Sequence, residues 1–417
     1  MKVLWFSHIP VFPKEIGTID YKGGTWITTL LKALSENASI ELAVCFHSTI
    51  RTEEKINIKG VTYYNIQDGN LVFKMAYRKI FHILTHQDHN AYLEIIDDFK
   101  PDVIQVFGTE SGFGNIIRQT EVPVIIHMQG LINPILLSWF PPGINLLDTF
   151  LSTPLKSLLF GNGFFHKFIY LKKQAERELE IISSNIHFFS RTDWDKSYLS
   201  FFNPNAKIFH CDEMIRNEFS DNEWLSPGLA GQFIFVSILN DDLYKGWDNI
   251  LKTANILRRY SKLKFEWRII GANPGNSVIR MFERKANTRF AESNVVFKGK
   301  MDATEIVEEL MRAHLFIHLS HIDNSPNSVC EAMLLGMPVL CSDVGGCSSL
   351  ITDNLNGFLI HDNDPFYLGK KICDILMNTE KTLLIAGKAR KDAMARHNSG
   401  RIIEQILNAY EELSKPR

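Results

Sequence analysis

Ten short apolar runs, bounded by Gly, Pro, Asn and Asp and separated by longer helix-like stretches, constrain this chain more than any other feature. Four lie in the first half: Val3 to Phe6, Val103 to Phe107, Val124 to His127 and His187 to Phe189. Six lie in the second: Phe233 to Val236, Trp267 to Ile270, Val295 to Phe297, Leu315 to Leu319, Val339 to Cys341 and Phe358 to Ile360. Strands that are apolar along their whole length need cover on both faces, which a parallel sheet receives from its crossover helices. Repeated strand–helix alternation therefore predicts an α/β fold with doubly wound, Rossmann-like sheets, formed twice.

The chain has 417 residues, enough for two domains of roughly 200 residues each. The turn-rich stretch Ser220 to Gly231 precedes a fresh strand and predicts the boundary. The expected units are an N-terminal Rossmann-like domain (1–219), a C-terminal Rossmann-like domain (220–396) and a final helix (397–417). That helix carries Ile402, Ile403, Ile406, Leu407, Tyr410 and Leu413 on one stripe and must pack on another element. A formal net charge of -2 gives no electrostatic case for nucleic acid. Six cysteines without a CxxC pair read as buried reduced thiols rather than zinc ligands, and no metal is expected. MKVLWFSHIPVF reads as a first buried strand rather than a signal peptide, and the localisation expected is cytoplasmic. Residues 131–173 interleave apolar and aromatic residues with Lys156, Lys167, Lys172 and Lys173. They read either as core helices with solvated lysines, or as an acceptor lid or peripheral membrane contact at the inner face.

The chemistry concentrates in Ser320 to Gly346, SHIDNSPNSVCEAMLLGMPVLCSDVGG. A polar loop between a strand and a helix presents backbone N–H groups at the carboxyl edge of a sheet, where α/β folds bind phosphorylated ligands. Asp323 and Glu331 flank that loop and can face one cleft; carboxylates accept paired hydrogen bonds from sugar and ribose hydroxyls. Ser328 to Glu331 also fits a capping box, and Asp323 also fits an Asx-turn. Lys245 stands on a loop after the strand FIFVSIL, in reach of a diphosphate. Gly23 and Gly24 precede the helix TWITTLLKAL and permit close backbone approach. His127 and Gln129 close a strand; residues two apart on a strand share a face, so either can reach the cleft.

As a set, these residues resemble the retaining glycosyltransferases of family 4. Asp323-x7-Glu331, Ala332, Gly336-x-Pro338-Val339, Gly345-Gly346 and Asn356-Gly357-Phe358 match the family's C-domain signature; Lys245-Gly246, Gly23-Gly24 and FKPDVIQVFG match further positions. Three positions depart from the pattern. Asp323 replaces a glutamate, Ile238 stands near the place of a usual arginine, and Gln129 replaces a histidine that His127 precedes by two residues. The resemblance implies a GT-B fold, two Rossmann-like domains facing a cleft, with the last helix crossing back to the N-domain. It implies metal-independent transfer of a sugar from a nucleotide-diphosphate donor to a hydroxyl acceptor, without a further cofactor. Polysaccharide or lipid-linked glycan synthesis is the setting it suggests. In that scheme Lys245 meets the diphosphate and Glu331 the ribose. Asp323, with the backbone of Asn324 and Ser325, holds the donor sugar. Asn327 and Ser328 meet phosphate, Gln129 or His127 serves the reacting centre, and Gly23 and Gly24 close on the donor. A sugar-nucleotide epimerase and a non-catalytic binding protein of the same fold are the alternatives.

Overall fold

The computed structural model describes residues 1–8, 11, 26–48, 55–67, 89–161, 163–228, 231–361 and 363–415. Eight strands make the first sheet: β1 (Lys2–Ser7), β2 (Glu41–Ser48), β3 (Lys55–Ile58), β4 (Val61–Gln67), β5 (Val103–Phe107), β6 (Val124–His127), β7 (His187–Ser190) and β8 (Lys207–His210). Their order is β3-β4-β2-β1-β5-β6-β7-β8. Six make the second, in the order β11-β10-β9-β12-β13-β14: β9 (Phe233–Ile238), β10 (Phe265–Ile270), β11 (Val295–Gly299), β12 (Leu315–His318), β13 (Val339–Ser342) and β14 (Phe358–Ile360). Every pairing is parallel except β3 with β4. The two doubly wound α/β sheets expected from the apolar runs are therefore present.

Central strands are buried from end to end, as in β5, β6, β12 and β13. Four strands escaped the sequence reading, for two reasons. β3 and β8 lie at the sheet's edges and keep exposed residues, so their runs are broken by Lys55, Asn57, Lys207 and His210. β4 carries polar residues (Thr62, Asn65) among its buried ones, which hides it from a search for continuous apolar runs; the exception is β2, whose run Leu42 to Phe46 is unbroken and was passed over.

The helix Ser399–Ser414 buries Ile402, Ile406, Tyr410 and Leu413 against the first sheet, in one core with Trp5, Val44 and Phe107. The Trp5 indole donates to the Tyr410 hydroxyl at 3.0 Å, and that hydroxyl donates to the Gln105 amide oxygen. Full burial of each such aliphatic side chain stabilises by about 1.5–3 kcal/mol. The chain's last turns thus bind the two lobes together, as the expected crossing helix requires. Between the sheets, Ile215, Phe219 and Trp224 join the core of the second sheet. Trp224 is fixed there by hydrogen bonds to Leu335 O (2.7 Å) and Ala313 O (2.8 Å).

Candidate active site

In the second sheet the strand order reverses between β9 and β12, which lie side by side. Ligands of doubly wound sheets bind beyond the carboxyl ends of the strands at such a reversal. The segment after β9 makes a short turn, Leu243–Lys245, and then Gly246 takes φ 81° before the helix Trp247–Tyr260. A Cβ on Gly246 would stand 1.9 Å from Leu319 O, so only glycine lets this turn lie against the segment after β12. The two segments are joined by His321 N donating to Tyr244 O at 2.7 Å. The consequence is a contact 78 residues apart in sequence: Lys245 Nζ donates to Asp323 Oδ2 at 2.7 Å. His318 Nε2 lies 3.2 Å from the same oxygen. Behind Asp323, Gly346 N donates to Asp323 O at 3.0 Å, and a Cβ on Gly345 would come within 2.0 Å of that carbonyl. The Gly345-Gly346 pair therefore backs the acidic loop.

Burial pushes the Asp323 carboxyl up, but the Lys245 ammonium and His318 outweigh it and hold the group well below the usual carboxylate range. Glu331 behaves oppositely. It sits on the helix Asn327–Leu335 and meets Arg216 Nη2 at 2.5 Å, yet burial prevails and its pKa is raised. The capping-box reading of Ser328 to Glu331 is corrected here. The N-cap is Pro326, no side chain caps the helix, and Glu331 turns to Arg216 instead. Proline at that position leaves the first-turn N–H groups without a side-chain acceptor.

A cleft of about 1140 Å³ lies between the two sheets. Lys245, Asp323, Asn324, Ser325, Asn327, Ser328 and Glu331 line it from the second lobe, and Gln129 lines it from the first. Gly23 and Gly24 lie outside the described residues. His127 is a correction: it is fully buried, packed among Trp26, Phe107 and Phe189, and it does not line the cleft. Burial depresses its pKa to about 3, so it stays neutral. The inference failed because β6 ends at His127; strand alternation no longer governs Gln129. The Gln129 side-chain nitrogen and Asn327 Oδ1 are buried without a hydrogen-bond partner among the described residues. Unmade bonds of this kind cost about 1–3 kcal/mol each, so a polar ligand would gain by completing them.

The side chain of Asn324 has a task of its own. Its side chain crosses the cleft: Nδ2 donates to Gln129 O (2.8 Å) and Asp195 Oδ2 (2.9 Å), while Oδ1 accepts from Thr192 Oγ1 (2.7 Å). The loop bearing Asp323 is thereby fastened to the first lobe. Ser325 donates to the buried Glu213 at 2.6 Å. Burial pushes the Glu213 carboxyl up, but Arg396, His397 and Arg191 outweigh it and keep it well below its ordinary value. Glu213, Cys330 and His397 are the group among the described residues whose ligand atoms lie close enough to hold a metal ion. The chemistry of this donor set fits a cation poorly. Glu213 Oε1 already accepts from Ser325 and from the Cys330 thiol (3.1 Å), burial keeps that thiol protonated, and Arg396 Nη2 stands 3.9 Å from Oε2.

Sequence reasoning missed His318, Arg191 and Arg216, all of which line the cleft. His318 and Arg191 had a signal, since each stands at or next to the carboxyl end of a buried strand, β12 and β7. Arg216 had none; it lies in the link between sheets, and only the fold brings it to Glu331.

With this geometry in place, comparison with known proteins is informative. Residues 221–392 match the glycosyl transferases group 1 family model. The matched stretch contains Lys245, Asp323 and Glu331, whereas Arg216 and Gln129 fall before it. The N,N'-diacetylbacillosaminyl-diphospho-undecaprenol alpha-1,3-N-acetylgalactosaminyltransferase of Campylobacter jejuni is 28% identical over 202 residues, 48% of this chain and 50% of that protein. The chain spans half or less of the length of the curated relatives it matches. Over the whole chain the likeness is one of fold. Sucrose-phosphate synthase from Thermosynechococcus elongatus superposes with TM-score 0.75 at 16% identity, covering 99% of this chain and 98% of that one. Anabaena HepE, solved in complex with UDP-glucose, superposes with TM-score 0.65 at 14% identity, covering 99% and 100%. The fold is GT-B.

Proposed function

We propose that this protein is a retaining glycosyltransferase that moves a sugar from a nucleotide-diphosphate donor to an acceptor hydroxyl in polysaccharide or lipid-linked glycan synthesis. The observation that carries the reading is the meeting of Lys245, Asp323 and Glu331 in one interlobe cleft, beside the uncapped start of the helix Asn327–Leu335. UDP-glucose bound to HepE and the lipid-linked acceptor in the name of the Campylobacter relative support the two substrate classes.

Transfer breaks the bond from the sugar's anomeric carbon to the diphosphate and forms one to the acceptor oxygen. Negative charge grows on the departing phosphate. Lys245 and the helix start at Asn327 and Ser328 are placed to stabilise that charge as it develops, without a metal ion in the scheme. In this reading Glu331 accepts from the ribose hydroxyls, with Arg216 orienting its carboxylate. Asp323, ionised at any working pH, accepts from the donor sugar together with the backbone of Asn324 and Ser325. Gln129 offers its unpaired amide from the acceptor side. The acceptor's proton passes to an oxygen of the leaving phosphate, which balances the exchange without a protein nucleophile. Enclosure between the lobes keeps water from competing.

Calorimetry with a panel of sugar nucleotides tests the assignment. Lys245→Ala and Glu331→Ala should each weaken binding by about 1.5–3 kcal/mol, the worth of a charged hydrogen bond. Unchanged donor affinity in both variants would reject the site.

A further inference from the structure

The segment between β6 and β7 contains two short helices, Leu146–Ser152 and Leu155–Leu159, whose polarity is inverted relative to ordinary surface helices. In the first helix and its C-cap the threonine hydroxyl groups point inward. Thr149 and Thr153 are buried and donate to Leu146 O and Thr149 O, at 2.7 Å in each case, and Ser152 Oγ donates to Asp148 O at 2.6 Å. Their hydrocarbon points outward: Leu147, Phe150, Leu151, Leu155, Leu159 and Phe160 are between 45% and 71% exposed. Leu147, Phe150 and Leu151 recur at helical spacing, as do Leu155 and Leu159, so each helix shows one continuous apolar face. A contiguous apolar surface of this kind marks a docking site.

The charges around it identify the occupant. Between Asp148 and Glu176 the chain has four lysines and no acidic residue, in a protein of net charge -2. Lys156 is exposed between Leu155 and Leu159. The other lobe adds Arg284, donating to Ser152 Oγ at 2.5 Å, while Lys285 is matched by Asp148 at 2.7 Å and Lys167 by Asp242 at the cleft. An apolar face flanked by Lys156 and Arg284 fits the boundary between acyl chains and acidic headgroups. Among the described residues no helix is long and apolar enough to cross a membrane, so attachment would be at the surface. We propose that the exposed face of helices Leu146–Ser152 and Leu155–Leu159 docks on an anionic lipid bilayer. Leu131, Ile132, Ile135, Trp139 and Leu171, from the same part of the chain, line the interlobe cleft. The docking itself requires no catalytic assignment.

Vesicle flotation of the full-length protein tests this. Wild type floats with vesicles of equal parts phosphatidylglycerol and phosphatidylcholine at low salt, less at high salt, and less with phosphatidylcholine alone. The combined variant Leu147→Ser, Leu151→Ser, Leu155→Ser changes only exposed side chains and lowers the bound fraction about tenfold, with melting temperature unchanged. Lys156→Glu lowers binding to the acidic vesicles alone and serves as the second variant if the triple one misfolds. Absence of flotation with acidic vesicles at low salt, or equal flotation of wild type and both variants, overturns the proposal. So does a vesicle-free dimer, seen by analytical ultracentrifugation, that the triple variant abolishes, because the face would then cover a second copy of this chain.

Discussion

Replacing Arg216 by alanine isolates the physics of the buried carboxylate at the cleft. The two side chains are 13% and 7% exposed and meet at 2.5 Å, so removal of the guanidinium leaves Glu331 charged with little water to solvate it. Breaking such a pair from one side costs about 3–5 kcal/mol. Glu331 can escape part of this by taking up a proton, and its pKa is already raised above 4.5 with Arg216 present. In the variant it rises further. A folded-state carboxyl pKa above the unfolded value means that the folded protein binds more protons, so stability falls as pH rises. The slope reaches at most about 1.4 kcal/mol per pH unit in the window between the unfolded and the raised folded pKa. The deficit of Arg216→Ala relative to wild type should therefore be small at pH 5 and grow toward pH 8. At the upper end, a loss of about 3 kcal/mol lowers the melting temperature by roughly 6–12 °C for a domain near 200 residues. Scanning calorimetry at pH 5, 6, 7 and 8 on wild type, Arg216→Ala and Arg216→Ala/Glu331→Gln reads this directly. The double variant should recover most of the loss at pH 8 and be nearly flat with pH. A deficit independent of pH, or no recovery on adding Glu331→Gln, would refute the reasoning.

Gly246→Ala should weaken donor binding at least tenfold while circular dichroism stays native, because a Cβ 1.9 Å from Leu319 O forces apart the segments that bring Lys245 to Asp323; unchanged affinity in calorimetry would show that the close approach is dispensable. Glu213, whose pKa is depressed below 4.5, contributes stability that is fully present above that value and is lost as pH falls through the depressed one. The stability gap between wild type and Glu213→Gln should accordingly be constant from pH 7 to about pH 5 and narrow under more acidic conditions, as followed by urea denaturation; a gap that widened on acidification would contradict the ion pairing.

What the sequence disclosed follows from how locally each feature is encoded. Buried central strands are continuous apolar runs, and Asp323, Asn324, Ser325, Asn327, Ser328 and Glu331 lie within nine residues of one another, so the donor-side loop could be read directly. Lys245 was found because a strand-to-helix turn carries its own Gly246. The features that escaped depend on contacts between distant segments. Arg216 reaches Glu331 across 115 residues, and the side chain of Asn324 finds partners 129 and 132 residues away. Neither pairing leaves a spacing that one sequence can reveal. His127 failed for a local reason instead: its strand ended two residues before Gln129, too early for alternation to relate the two. Inverted polarity in Leu146–Ser152 was likewise hidden, since a leucine on a helix looks the same in sequence whether it faces a core or the outside.

Asn324 explains how expected residues from two lobes can work as one site. Asp323 binds Lys245 on the donor side, Ser325 binds Glu213 beneath, and between them Asn324 holds the opposite lobe through Gln129, Thr192 and Asp195. Three successive residues thus serve three different partners. A bent, non-helical loop allows this because its successive side chains diverge. The carbonyl of Gln129 is held from both sides, by Asn324 at 2.8 Å and by Arg191 at 2.5 Å. That fixes the backbone from which the unpaired Gln129 amide extends. A shift of the lobes would break the Asn324 bonds, move the Asp323 loop and release Gln129 together. The Asp323 loop and the Gln129 backbone are therefore positioned by the same three hydrogen bonds.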